Sequence, residues 1–194
     1  MHRNNPSSSL ISPILILEKT YSATSEAAMV TTTSVIEFLG KLVPGYDYRA
    51  KRSRLNTDRS VREKLARELK KSAVNLKEVS DLAYRDGKRE VVDHIKDILK
   101  AIDLFVVEIE DSPFGQSPLF KQDGVSDEDI DHMIEFDRLL VTELEVITKT
   151  SELIYDHVLK GETSDIIIQV RKLKKELDVM KNTFSDRLDY FMKR

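Results

Sequence analysis

Cysteine is absent from the 194-residue chain, which removes disulfides, thiol catalysis and thiolate zinc sites in one step while leaving the compartment open. No apolar run approaches the roughly 20 residues that a bilayer-spanning helix needs, so an integral membrane protein is not expected. The phosphate-cradling patterns G-x-x-x-x-G-K-[ST] and G-x-G-x-x-G are missing, and so is the G-x-S-x-G nucleophile elbow. Histidine is scarce. His94, His132 and His157 fall on expected helices, but a carboxylate-bridged metal bundle needs two Glu-x-x-His units, and neither occurs. No metal or cofactor is therefore expected. Catalytic carboxylates need burial or close pairing, whereas the acids here read as surface, so the chain is not expected to be an enzyme.

Charged residues make up 34% of the chain and hydrophobic ones 40%, which suits one domain with its own core. Residues 1–28 stand apart: Asn4-Asn5-Pro6, Ser7-Ser8-Ser9, and an apolar run from Leu10 to Leu17 broken by Pro13. A signal peptide would need a longer apolar run than one followed at once by Glu18-Lys19. These residues are expected to be a disordered extension, with a single helical domain over 29–194.

Helical spacing governs the remainder. The strongest signal spans 126–160, where the N-cap Ser126 and the acidic turn Asp127, Glu128, Asp129 precede Ile130, Met133, Leu140, Leu144, Ile147, Ile154 and Val158. A short apolar helix is expected over Val35–Val43, capped by Thr33 or Ser34. Longer helices are expected from Leu55 to a stop at Gly87, from Val92 to Ile109, and from Thr163 or Ser164 nearly to the end. The fold class is all-α: an up-down bundle of four long, coiled-coil-like helices with the Val35 helix capping one end.

Charge is segregated. Ten basic residues lie between Arg49 and Lys71, among them Arg52, Arg54, Arg59 and Arg62, while Asp103 to Glu145 is acidic and includes Asp127, Asp131, Glu135 and Asp137. An up-down bundle brings the start of the second long helix, the end of the third and the start of the fourth to one end. Cations at a helix N-terminus and anions at a C-terminus oppose the helix dipole, so mutual pairing would relieve both. The expectation is an internal charge network of Arg52, Arg54, Arg59, Arg62, Asp127, Asp131, Glu135 and Asp137; a phosphate-binding face is the alternative. The same end collects Tyr46, Tyr48, Phe114, Leu119 and Phe120, as a recognition surface or as rings folded back over the core.

Leu42-Val43-Pro44-Gly45-Tyr46, the basic run after it, Asp58-Arg59-x-x-Arg62, the stretch from Phe114 to Phe120 and Ile134-Glu135-Phe136-Asp137 together resemble an uncharacterised family of small helical proteins of bacteria and archaea. That family's pattern is a proline-glycine-tyrosine turn, an arginine-rich helix start, an aromatic loop and an acidic helix with a phenylalanine-aspartate pair. Asp47-Tyr48 departs from it, because the family more often spaces its second tyrosine further on. The resemblance implies an all-helical domain and brings no assigned activity with it. The functional expectation is a cytoplasmic protein-interaction or scaffold module whose unidentified protein partner meets Tyr46, Tyr48, Phe114, Leu119 and Phe120. Nucleic-acid or anionic-membrane binding through 49–71 is the alternative. A stripe kept almost to Phe191 leaves homo-oligomerisation open.

Overall fold

The computed structural model describes residues 25–113, 117, 120, 125–162 and 165–193. Phe114 and Leu119 therefore lie outside the described residues. The chain divides into two compact units, Met1–Ser34 and Val35–Arg194. Of the first, the described part is the opening of helix α1 (Ser25–Leu42). The helix starts ahead of the expected cap at Thr33 or Ser34 and takes in 25–28, the last residues of the expected extension. Glu26, Ala27 and Ala28 are good helix formers, so propensity continues the helix past that cap.

The second unit is all-α. A 3₁₀ turn (Lys51–Ser53) leads into α2 (Arg54–Arg85), followed by α3 (Arg89–Asp111), α4 (Asp127–Leu159) and α5 (Ile166–Lys193), with no strand among the described residues. None of the described helices is long and apolar enough to cross a membrane.

Local chemistry sets the ends. Ser126 Oγ accepts from the Asp129 amide at 3.1 Å while the Asp129 carboxylate accepts from the Ser126 amide at 3.2 Å, a capping box that fixes the start of α4. Helices α2 and α4 both stop in Schellman turns. Lys88 N–H reaches Ala83 O and Glu162 N–H reaches His157 O, each at 2.9 Å, around Gly87 (φ 72°) and Gly161 (φ 75°).

The helices run up-down-up-down, but sequence neighbours are not all spatial neighbours. α2 packs on α3 and α4, and α5 packs on α4 and α3. Lys71 meets Glu152 across α2 and α4, which run parallel; Thr183–Glu143 and Arg187–Asp137 mark α4 and α5 as antiparallel. The end of α3 and the start of α4 both lie at the end where α2 begins, Ser112 beside Arg62 and Asp127 beside Arg49. Leu65, Leu69, Leu76, Ile95, Ile102, Phe105, Leu140, Ile147, Leu173 and Phe184 are among the fully buried side chains of the continuous core. Leu39 and Val43, on and just after α1, are buried in it too.

Gly161→Ala is expected to lower stability by about 1 kcal/mol, because a Cβ is strained at that φ. Gly40→Ala lies within α1 where a new Cβ meets nothing within 4 Å, and is expected to raise stability by about 0.5–1 kcal/mol. Urea unfolding of the two variants should shift in opposite directions.

Candidate functional site

The segment between α1 and α2 has no helical period, yet it is tightly held. Asp47 N–H donates to Thr57 Oγ1 at 3.0 Å, whose hydroxyl returns a bond to Asp47 O at 3.1 Å. Ala50 N–H donates to Asp47 Oδ1 at 3.0 Å, and Arg54 Nε to Tyr48 O at 2.9 Å. These bonds fold residues 46–50 back on the first turns of α2 and aim both tyrosines inward. Their rings meet edge to face, 5.6 Å apart.

At the inner end of those rings lies a buried ionic network. Arg187 of α5, with a side chain 0% exposed, donates from Nε to Asp137 Oδ1 of α4 at 2.8 Å. From Nη2 it donates to Asp58 Oδ1 of α2 at 2.8 Å and to the Tyr48 hydroxyl at 2.9 Å. Tyr46 Oη donates to Asp137 Oδ2 at 3.1 Å, and Tyr48 Oη to Asp58 Oδ1 at 3.4 Å. Arg62, one turn along α2, donates from Nε to Asp58 Oδ2 at 2.9 Å. Its Nη1 reaches Ile109 O at 3.4 Å and Ser112 O at 3.2 Å as well as Ser112 Oγ, and its Nη2 reaches Pro113 O at 3.4 Å. Those carbonyls end α3, so a cation sits where the helix dipole calls for one.

Two arginines and two aspartates leave the network neutral when all are ionised. Burial, with the nearby Asp137 charge adding to it, holds the Tyr46 and Tyr48 phenols well above their ordinary range, so both stay protonated donors. Burial lowers Arg62. Burial works against Arg187 too, but Asp137, Tyr48 and Asp58 outweigh it and raise its pKa. Burial pushes the Asp137 carboxyl up to about 6 against the pull of Arg187, so at neutral pH it is still ionised. The network joins α2, α4, α5 and the α1–α2 segment, and through Arg62 it reaches the end of α3. Its acids and bases are spent on one another.

Two sequence expectations change. Tyr46 and Tyr48 are 7% and 1% exposed, so they do not present a surface to a partner; the turn at Pro44-Gly45 directs them into the core. Phe120 is half-buried and packs against the same core. The eight residues expected to form one charge network are also dispersed. Arg62 and Asp137 belong to the buried one. Arg49, not among the eight, pairs at the surface with Asp127 at 3.4 Å and with Asp131. Arg54 holds a backbone carbonyl, Glu135 pairs within α4 to Arg138 at 2.7 Å, and Arg52 is exposed with no ion pair among the described residues. The pieces that sequence reasoning missed are Asp58 and Arg187. Their signal was a charge at an apolar stripe position: Asp58 and Arg62 precede Leu65 and Leu69 in register, and Arg187 follows Met180 and Phe184.

Beside the network an open groove of about 580 Å³ runs between α2 and α3. Arg59, Arg62, Arg67 and Lys70 contribute cations to it, Glu63 and Glu110 carboxylates, and Ala66 and Ile109 an apolar floor. Arg62 belongs to both features. Comparison with protein-family models, with curated proteins and with solved structures finds no match.

Arg187→Met would leave the buried Asp137 without a cation, Asp58 keeping Arg62, and is expected to cost about 3–5 kcal/mol in urea unfolding; adding Asp137→Asn should return much of that loss. The pH dependence has a definite sign. A carboxyl titrating near 6 when folded, against about 3.9 unfolded, binds more protons in the native state between those values. Its stabilising contribution is complete below about pH 4 and lost as pH rises through about 6. Relative to Asp137→Asn, the protein should therefore gain stability on acidification across that window, and carboxyl-carbon NMR should place the Asp137 midpoint near its upper edge.

Proposed function

We propose that the protein is a non-catalytic helical module that binds another protein with the end of the bundle at which α2 begins. The observation that carries this reading is the double role of Arg62. The side chain that ties Asp58 of α2 to the terminal carbonyls of α3 also lines the groove between those helices, so the network clamps the groove's two walls. A recognition surface held in its bound shape pays less ordering entropy on association.

The alternatives fit less well. A catalytic reading needs an acid or base with a tuned pKa within reach of substrate, whereas the strongly shifted carboxyl, Asp137, is fully buried, and Asp131 and Glu143, also raised by burial, are engaged by Arg49 and Thr183. A polyanion-binding reading needs a surface of one sign along 49–71. Acids are interleaved with that run within 4 Å, Asp127 and Asp131 at Arg49, Glu68 at Lys64, Glu110 at Lys70 and Glu152 at Lys71, so a strand that is negative at every unit meets like charge along it.

Affinity capture of the tagged full chain from its own cells, with protein, nucleic acid and lipid all quantified, tests the proposal. A stoichiometric protein that survives moderate salt and is lost with Arg67→Glu/Lys70→Glu is the expected outcome. Recovery of nucleic acid or lipid alone, disappearing as salt is added, would contradict it.

A further inference from the structure

The geometry points to the kind of partner that the α2/α3 groove takes: an amphipathic helix of another protein that carries carboxylates on the flank facing α2. This rests on the interaction-module reading and deepens it.

Length and shape come first. The Lys70–Glu110 pair fixes the register of the antiparallel α2 and α3. One turn further along each, Val74 and Val107 take the equivalent places and are 58% and 53% exposed. The floor of Ala66 and Ile109 thus continues into exposed Val74 and Val107, an apolar strip about two turns long. A small residue at the floor lets another backbone approach, and a helix lying along two neighbouring helices at a shallow angle is an ordinary packing mode.

Charge then sets the pattern. Along α2 the cations Arg59 and Arg67 lie about 12 Å apart, with Lys70 one further turn on. Glu63 falls between the arginines, one turn from each. A matching helix carries carboxylates seven or eight residues apart, with no acid at the intervening turn, and another acid one turn beyond. The α3 wall has the opposite sign, because Glu110 lines it. That wall calls for basic residues on the partner's other flank, and it repels a nucleic-acid strand whose every unit is negative. The side chains of Arg67, Lys70 and Glu110 are 67%, 58% and 49% exposed, so their present pairs are weak and exchange readily for a partner's groups.

The test is selection of a displayed library of helical peptides, about 20 residues long, against the full chain at moderate salt. The expected binders combine an apolar stripe with carboxylates seven or eight residues apart on one flank. Their affinity should fall at least about ten-fold with Arg67→Glu/Lys70→Glu and with Ala66→Arg, in variants whose circular dichroism is unchanged. Replacing the peptide's acids by lysine should restore binding to Arg67→Glu/Lys70→Glu. Binders without that acid pattern, binders indifferent to both variants, or no binders at all would overturn the inference. So would a thymidine oligonucleotide or an anionic vesicle that binds the chain and is lost with the same variants. Selected peptides that bind elsewhere on this end would sink the groove assignment and leave the interaction-module reading standing, whereas a cellular capture without a protein partner would remove that reading itself.

Discussion

One guanidinium, that of Arg187, sits between two carboxylates, all three fully buried, and the arrangement of one end of the molecule depends on it. Each of its carboxylate partners comes from a different helix, and each carboxylate also accepts from a tyrosine of the α1–α2 segment. If α5 slid by a turn along α4, Asp137 would be left without a cation in the core and Asp58 with Arg62 alone. A shift of α2 would likewise part Asp58 from Arg187. Apolar side chains tolerate such slips, since one leucine packs much like another, but buried ions do not.

That sensitivity explains why so costly a feature is useful. Desolvating four charged groups opposes folding, and apolar residues of similar volume would serve stability as well or better. What the ions add is a single permitted register. They also draw in a segment that could not order itself: residues 43–53 form no helix beyond one 3₁₀ turn, yet Tyr46 and Tyr48 anchor them from within and Thr57 from outside. Through Arg62 the constraint extends to the end of α3, where acidic residues oppose the helix dipole and a cation on the last carbonyls offsets them.

The all-α bundle was legible because its cues are local. Capping at Ser126, glycines at 87 and 161 and unbroken apolar spacing each depend on a few consecutive residues. The start of α1 was misplaced for the same reason: Thr33 and Ser34 look like caps, but propensity through Ala27 and Ala28 carries the helix back to Ser25. The direction of Tyr46 and Tyr48 could not be read, since a segment without periodicity has no inside or outside in sequence. Arg187 stands far from Tyr48 and Asp58 in the chain, and an arginine near the end of a stripe reads as the point where the stripe stops. The groove depends on the register between two helices, which no single stretch encodes. A charge in register with a run of core residues, as at positions 58, 62, 137 and 187, is the signal that would have identified the network.

Native-state hydrogen exchange is the most direct measurement of the central claim, that the buried network holds this end as firmly as the core. The amides of Asp47 and Ala50 bond only to side chains of their own neighbourhood, so on local grounds they should open easily. The account predicts that both exchange only through global unfolding, with the same free energy as amides in the middle of α2. Exchange at a free energy well below that of α2 would show that the segment opens independently, and the network would then be a consequence of the fold and not a constraint on it.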